Sequence, residues 1–468
     1  LRTSELPKTQ ALWSPRVGFN WDVFGDRSVQ VRGGSGIFSG RPAFVWISNQ
    51  MSKNGILTGS WRDDNTTGGY PFSPDVTKYN LPPNPGQPAS SYNIAVSDPE
   101  FKYPQTWKTN VAVDKTLPYG IIATAEFIYN KEINNVTYIN ANLEPANGTL
   151  SGPDNRPAYP GLGLSGTPQN NANRVNDNIT DAILLKNTNK GQGYSATIKL
   201  ERPTTRGLSA MVAYNYSNTK DLMSAGSIAF SSWRDNFSVN GNNLPTVAFS
   251  NNDLRHRIIA AVTYRKEYAK HFASQISLFY QAQNQGRFSY RINGDLNGDQ
   301  TATNDLLYVP ENANELNFEE YTITVSGNPV TFTAEQQAAA FDAFINQDDY
   351  LSTRRGLYAE RNGVLMPFVS TLDLSFVQEF FLDIKGKRNT LQFRVDIFNF
   401  GNLLNDDWGV GNTIVNSSPL QFRSINANGE PIYRFSTVNN QLPTATYRTR
   451  VTIDDVWQMQ IGLRYTFN

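Results

Sequence analysis

The sequence predicts an all-β protein of one particular kind, an antiparallel β-barrel that crosses a membrane. Three observations predict it. Segments of about ten residues alternate between large apolar and polar side chains, short polar turns join these segments in pairs, and very long loops separate the pairs. Successive side chains on a strand point to opposite faces, so strict alternation means two different environments. A tilted strand of ~9–11 residues is long enough to cross hydrocarbon. Short turns at one end and long loops at the other describe an outer-membrane barrel. A soluble sandwich instead carries turn signals every ~8–12 residues at both ends.

Taken in order, about eleven strands are expected, near 13–23, 29–39, 107–115, 120–130, 193–201, 207–217, 255–265, 271–281, 366–377, 389–400 and 456–467. In the first, Trp13, Val17, Phe19, Trp21 and Val23 alternate with Ser14, Arg16, Asn20 and Asp22. YSATIKLE places Tyr194, Ala196, Ile198 and Leu200 on one face. LQFRVDI sets Leu391, Phe393, Val395 and Ile397 opposite Gln392, Arg394 and Asp396. The last strand, WQMQIGLRYTFN, sets Trp457, Met459, Ile461, Leu463, Tyr465 and Phe467 against small or polar neighbours. The turns are FGDRS (24–28), KTLPYG (115–120), RPTTRG (202–207), KEYAK (266–270) and LDIKGKR (382–388). The loops span roughly 40–106, 131–192, 218–254, 282–365 and 401–455. Trp13, Trp107, Tyr129, Tyr216 and Tyr264 end the oily faces, where amphipathic rings suit the headgroup level.

Composition agrees with this reading. The 468 residues carry 41 Lys+Arg and 41 Asp+Glu, so no sequence-wide field invites nucleic acid. There is no cysteine, hence no disulfide and no thiolate metal site, and only His256 and His271 could serve imidazole chemistry. Mean hydropathy is −0.46 and no run approaches ~20 apolar residues, which leaves strands as the way to span a bilayer. LRTSELPKTQ has neither the basic nor the apolar region of a signal peptide, so a processed chain or part of a longer one is expected. No GxSxG, Walker or HExxH sequence occurs, and an enzyme is not expected.

RNGVLMPFVSTLDLSFVQEF (361–380), FRVDIFNFGNLLNDDWGVG (393–411) and the ending IGLRYTFN resemble the C-terminal barrel of TonB-dependent outer-membrane receptors. The nearer likeness is to the Oar-like group of the Bacteroidetes, which carries a carboxypeptidase-regulatory-like domain. WSPRVGFNWDVFGD, FKYPQTWKTNVAVDK and INGDLNGDQTATNDLLYVP are similar to further landmarks of that group. The resemblance implies that 1–468 is the C-terminal half of a 22-stranded barrel. The plug, the TonB box and the first barrel half would lie outside this sequence. The implied partners are outer-membrane lipid, that plug and first half, the TonB complex and a surface lipoprotein. The implied function is uptake of a scarce extracellular ligand, driven by proton-motive force that displaces the plug. The alternative is a structural barrel that docks lipoproteins or serves export or adhesion. Tyr465 and Phe467 match the terminal aromatic signal read by the barrel-assembly machinery.

The oily face is expected to meet lipid. Arg16, Arg32, Lys199, Glu201, Arg257, Arg265, Arg394, Asp396 and Arg464 are expected to face a hydrated bore, because ionisable groups at membrane depth must be paired or hydrated. In the loops, DLNGDQTATND (295–305) spaces Asp295, Asn297, Asp299, Thr301 and Asp305 like an EF-hand-type turn. Two readings stand open, a calcium-stabilised loop and an ordinary polar turn, because Gln300 occupies the glycine position and Asn and Asp are also turn formers. TAEQQAAAFDAFINQ (333–347) predicts a helix capped by Thr333 and Gln336, with Phe341, Phe344 and Ile345 on one face. The 44–107 segment is rich in aromatics. Trp46, Trp61 and Tyr70 are its ligand-binding candidates, set against a packing role for the same rings.

Overall fold

The computed structural model describes residues 2–41, 43–55, 71–79, 92–162 and 171–467. Its main sheet is an antiparallel meander along a path of eleven strands among these residues. They are β1 (Arg16–Asp22), β2 (Val29–Ser39), β3 (Gln105–Leu117), β4 (Ile121–Asn140), β5 (Gly191–Thr205), β6 (Leu208–Asp221), β7 (His256–Tyr268), β8 (Phe272–Asn284), β9 (Phe368–Ile384), β10 (Lys387–Phe398) and β11 (Gln458–Phe467). Each pairs with its sequence neighbour. β1 and β11 each keep one edge unpaired among the described residues.

Register carries the alternation across the whole wall. Val262 on β7, Leu278 on β8 and Leu374 on β9 lie side by side, as do Val395 on β10 and Ile461 on β11. Among the described residues these rows find no second sheet to cover them. Ile198 is 62% exposed and Leu463 72%, values that would be costly in water and are natural against lipid chains. No helix among the described residues is long and apolar enough to cross a membrane.

The strands run longer than their oily segments, so two sequence expectations need correction. RPTTRG and LDIKGKR are mostly ladder, and the turns shrink to Arg206–Gly207 and Lys385–Gly386. All four turn residues have positive φ, which matches the twist of a tight hairpin. At Gly207 any Cβ would meet the Arg265 carbonyl at 2.0 Å, so glycine is required there. Residues 131–140, expected in a loop, extend β4 to 20 residues. Above the wall this extension pairs with Ile179–Thr188, which in turn pairs in parallel with Tyr92–Ser97. Val136 and Tyr138 are buried there in a loop core, so alternation continues although its oily partner is protein instead of lipid.

The buried cores sit among the loops, not in the wall. One gathers Phe288, Tyr290, Leu307, Phe341, Phe344 and Phe435. The other gathers Tyr138, Tyr159, Ile183 and Trp233. The helix Ala334–Gln347 forms as expected, with Thr333 accepting from the Gln336 N–H and Gln336 accepting from the Thr333 N–H. Phe341, Phe344 and Ile345 are its buried face.

Candidate functional site: a polar bore below a locked loop cap

The face opposite the oily rows is a charge ladder. Arg32 reaches Asp114 at 2.9 Å and Glu126 at 3.4 Å. Lys199 meets Glu201 at 2.6 Å, Arg265 meets Glu267 and Glu379 at 2.9 Å, and Arg394 meets Asp396 at 2.7 Å. Arg257 donates to Gln281, while the Arg16 guanidinium lies 4.3 Å from the Phe38 ring centre. Arg464 pairs in register with Gln392 on the same face. The ionisable residues expected in the bore thus share one side of the sheet. Interleaved opposite charges give a wettable wall with little net field, suited to holding a polar body or water.

Aromatic rings mark both ends of the oily face. At the loop end, Trp107 packs on Tyr129, Tyr194 on Tyr216, Tyr216 on His256, and His256 on Phe368, with ring centres 5.2–6.2 Å apart. At the turn end, Tyr268 packs on Phe272 and Phe272 on Phe380. From His256 to Tyr268 the chain runs the length of β7, 13 residues. At ~3.4 Å per residue and a tilt of ~45°, this spans ~30 Å, the thickness of a hydrocarbon core. Tyr465 and Phe467 belong to the turn-end girdle, 5.9 Å apart between ring centres, and Tyr465 donates to Asn389.

Above the wall, the turn 295–305 ties several loops together. Its side-chain oxygens point into their own backbone. Asp295 accepts from the N–H groups of Gly298, Asp299 and Gln300. Asn297 accepts from the Asp299 N–H. Asp299 accepts from Thr301 through both N–H and hydroxyl, and from the Asn304 amide. Gln300 has φ +77°, the left-handed conformation that glycine usually supplies at this position. Asp305 binds Arg156 at 3.1 Å, and Arg156 also forks onto Asp154 at 2.8 and 2.9 Å. Asp154 in turn accepts from Tyr358 and Tyr433. Asn173 and Asn242 complete the ties from two other loops.

Asp299, Asp305 and Arg156 are essentially excluded from solvent. Burial, then the charges of Asp299 and Asp305, raises Asp295 well above the ordinary carboxylate range. Burial also raises Asp299. Asp305 is pushed up to about 7, because burial outweighs the opposing pull of Arg156. Among the described residues, no group of three His, Cys, Asp or Glu side chains is placed to hold a metal ion as it stands.

Of the loop aromatics, Trp46 lies in the helix Phe44–Ser52 and donates to the Gly226 carbonyl at 2.8 Å, packing against the second core. Trp61 and Tyr70 lie outside the described residues. Sequence reading missed Arg156 and Asp154 altogether, since nothing in NRPAY marks a partner 149 residues away. It also missed a polar cavity of about 420 Å³ between loops, lined by Ser227, Ser231, Asp235, Asn236, Arg361 and others.

A family model described as an outer membrane beta barrel domain matches residues 3–435. No curated protein matches. Among solved structures, the outer membrane transporter YddB from Escherichia coli aligns over 96% of this chain and 40% of its own, at 11% identity and a TM-score of 0.40. A mutant of the ferric enterobactin receptor PfeA from Pseudomonas aeruginosa aligns over 97% and 40%, at 10% identity and 0.38. The siderophore receptor PirA from Acinetobacter baumannii aligns over 84% and 37%, at 10% identity and 0.34. The chain spans about two-fifths of the length of these structures.

Proposed function

The chain belongs to the outer membrane beta barrel domain family, and on that premise we propose that it is the C-terminal half of a TonB-dependent receptor that imports a scarce extracellular ligand. Its place is the bacterial outer membrane, with the short turns toward the periplasm and the loops outside. The observation that carries the reading is the parity of the sheet. Strands alternate in direction, so β1 and β11 of an eleven-strand path run the same way. Such a sheet cannot close on itself, or on a second copy about an axis normal to the membrane, with antiparallel pairs. Unpaired strand edges are not tolerated in lipid. An odd number of further strands satisfies both edges, as the first half of the same receptor would. The polar bore then faces a plug, and the loop cap receives cargo next to its polar cavity. The motifs at 361–380 and 393–411 support an Oar-like receptor.

The test is uptake in cells with and without the gene, using a ferric siderophore, an oligosaccharide, a peptide and cobalamin as probes. Import of one probe should require both the gene and the proton-motive force, and a protonophore should stop it. Uptake of all four that is indifferent to the gene, with retention of a surface lipoprotein by the loops, would favour the interaction role.

A calcium ion in the 295–305 turn is part of the same proposal. Asp295, Asn297, Asp299, Thr301 and Asp305 offer only oxygen donors, which suit this hard cation. Two observations support it. Three buried carboxylates (Asp154, Asp299, Asp305) and the half-buried Asp295 share the neighbourhood of a single buried guanidinium, Arg156, which pairs with Asp154 and Asp305 alone, and the Asn304 Oδ1 is buried without a donor. Without a cation, the raised carboxylates stabilise the fold most when protonated. For Asp305 that contribution is complete below the unfolded value of about 4 and is lost as pH rises through about 7. With calcium the deprotonated form is favoured and the trend should reverse. Hydrogen exchange of this turn in chelator should therefore speed up between about pH 5 and about pH 8, beyond the intrinsic pH effect. Millimolar calcium should remove the increase. Identical profiles with chelator and calcium would leave the polar turn as the correct reading.

A further inference from the structure

We propose that the tips of the five wall hairpins form a docking surface for peptidoglycan, the carboxylate-bearing glycan network that lies beneath the outer membrane. The inference rests on the orientation given above, with the turns in the periplasm, and not on what the receptor imports. Each tip carries a residue at positive φ: Arg27 (+61°), Tyr119 (+65°), Arg206 (+51°), Lys270 (+62°) and Lys385 (+54°). Glycine, asparagine and aspartate fit such a hairpin position best. The loop side keeps to that rule. Among the described residues, five of its eight left-handed non-glycine residues are asparagine: Asn171, Asn362, Asn399, Asn439 and Asn440. At the turn end none is asparagine or aspartate, and Ala269 is the only left-handed residue there besides glycine and the five tips. Four cations and an aromatic ring thus sit where a smaller side chain would be easier. Residues held against local preference in this way point to function.

Charge is sorted to this end of the molecule. The turn segments 24–28, 115–120, 202–207, 266–270 and 382–388 hold nine of the 41 Lys+Arg but only three of the 41 Asp+Glu. Two of those acids are engaged within the turns, Asp26 with the Ser28 N–H and Glu267 with Arg265 at 2.9 Å and Arg388 at 3.5 Å. The four cationic tips are exposed and have no ion pair among the described residues, and Tyr119 is 89% exposed. Being in turns, these five belong to neither the lipid-facing nor the bore-facing row, and they end the wall on its periplasmic side. The hairpins follow one another along the sheet, so the tips form a row with a step of about 10 Å, two strand spacings. A row of cations fits an anion that repeats along a strand. The flat Tyr119 ring within that row fits a sugar face better than an acidic protein surface. Each exposed ion pair is weak alone, and four on one polymer act together.

The experiment sediments the native receptor, extracted in mild detergent, with purified peptidoglycan sacculi. Wild type should pellet with the sacculi, less so as salt rises. The variant R27N/R206N/K270N/K385N should lose binding by about tenfold or more. Asparagine suits all four conformations, so this variant should fold at least as well, which a heat-modifiable gel shift reports. The charge-conserving R27K/R206K/K270R/K385R should bind as wild type, and Tyr119→Asn should weaken binding without changing its salt dependence. Sacculi whose carboxylates have been amidated should hold neither protein. The proposal is overturned if the asparagine variant pellets as wild type does or if amidated sacculi still retain wild type. It is also overturned if phosphatidylglycerol vesicles separate the two proteins and sacculi do not, which would mark an inner-leaflet lipid site. Orientation is read separately, from Lys270→Cys and a membrane-impermeant maleimide. Labelling only after the outer membrane is permeabilised is expected. Labelling in intact cells would overturn the orientation and this proposal with it, whereas the sacculus results bear on the proposal alone.

Discussion

Replacing Leu278 by arginine is expected to cost ~2–4 kcal/mol of barrel stability, the range for a cation near the middle of the lipid face. Leu278 sits at the centre of β8 between Val262 and Leu374, exposed with no protein layer over it among the described residues. The informative control is one residue away. Ser277 points into the bore, where Thr263 donates to it at 3.0 Å, and Ser277→Arg should assemble nearly as wild type. Outer-membrane yield and the heat-modifiable gel shift are the readouts. A globular sandwich would also reject arginine at a buried Leu278, but its wild type would be recovered in detergent-free extracts, so recovery only in detergent separates the two. Equal tolerance of both substitutions would remove the lipid-facing assignment of the rows.

Arg156→Met should produce the largest change in the loop cap. The guanidinium is fully buried and holds Asp154, in its own loop, to Asp305 in a second, so its loss leaves two uncompensated carboxylates. Breaking a buried pair by removing one partner costs ~3–5 kcal/mol, more than the ion pair itself is worth, because the orphan charges carry the penalty. The expected result is fast hydrogen exchange and protease cleavage in 141–190 and 285–367, with the wall still heat-modifiable. Arg156→Met combined with Asp154→Asn and Asp305→Asn should recover much of the protection, since neutral amides are cheaper to bury than carboxylates. Wild-type protection in the single variant would show that the apolar cores, not the buried charges, fasten the cap.

Much of the architecture can be read from local chemistry. The alternation of YSATIKLE or LQFRVDI appears unchanged as strands β5 and β10, and the Thr333/Gln336 capping pair starts its helix where the sequence places it. What misled the reading was the end of each strand. Alternation at 131–140 says only that one side is oily, and Val136 and Tyr138 meet a loop core above the membrane instead of lipid. The acidic turn was legible as a motif, yet its neighbours were not. Arg156, Asn173 and Asn242 come from loops whose sequences carry no periodicity to betray a contact.

By itself, the sequence determined where the eleven wall strands lie, though not where each ends, and which face of each is oily, because a period of two is set by backbone geometry within a few residues. It also determined that the bore is polar, since the charges fall on the other parity. Only the tertiary structure decided which loops lock onto which and that the buried cores lie in the cap. Those facts depend on register between segments far apart in the chain, and register is fixed by the sum of many pairings, none of which is encoded in any one segment.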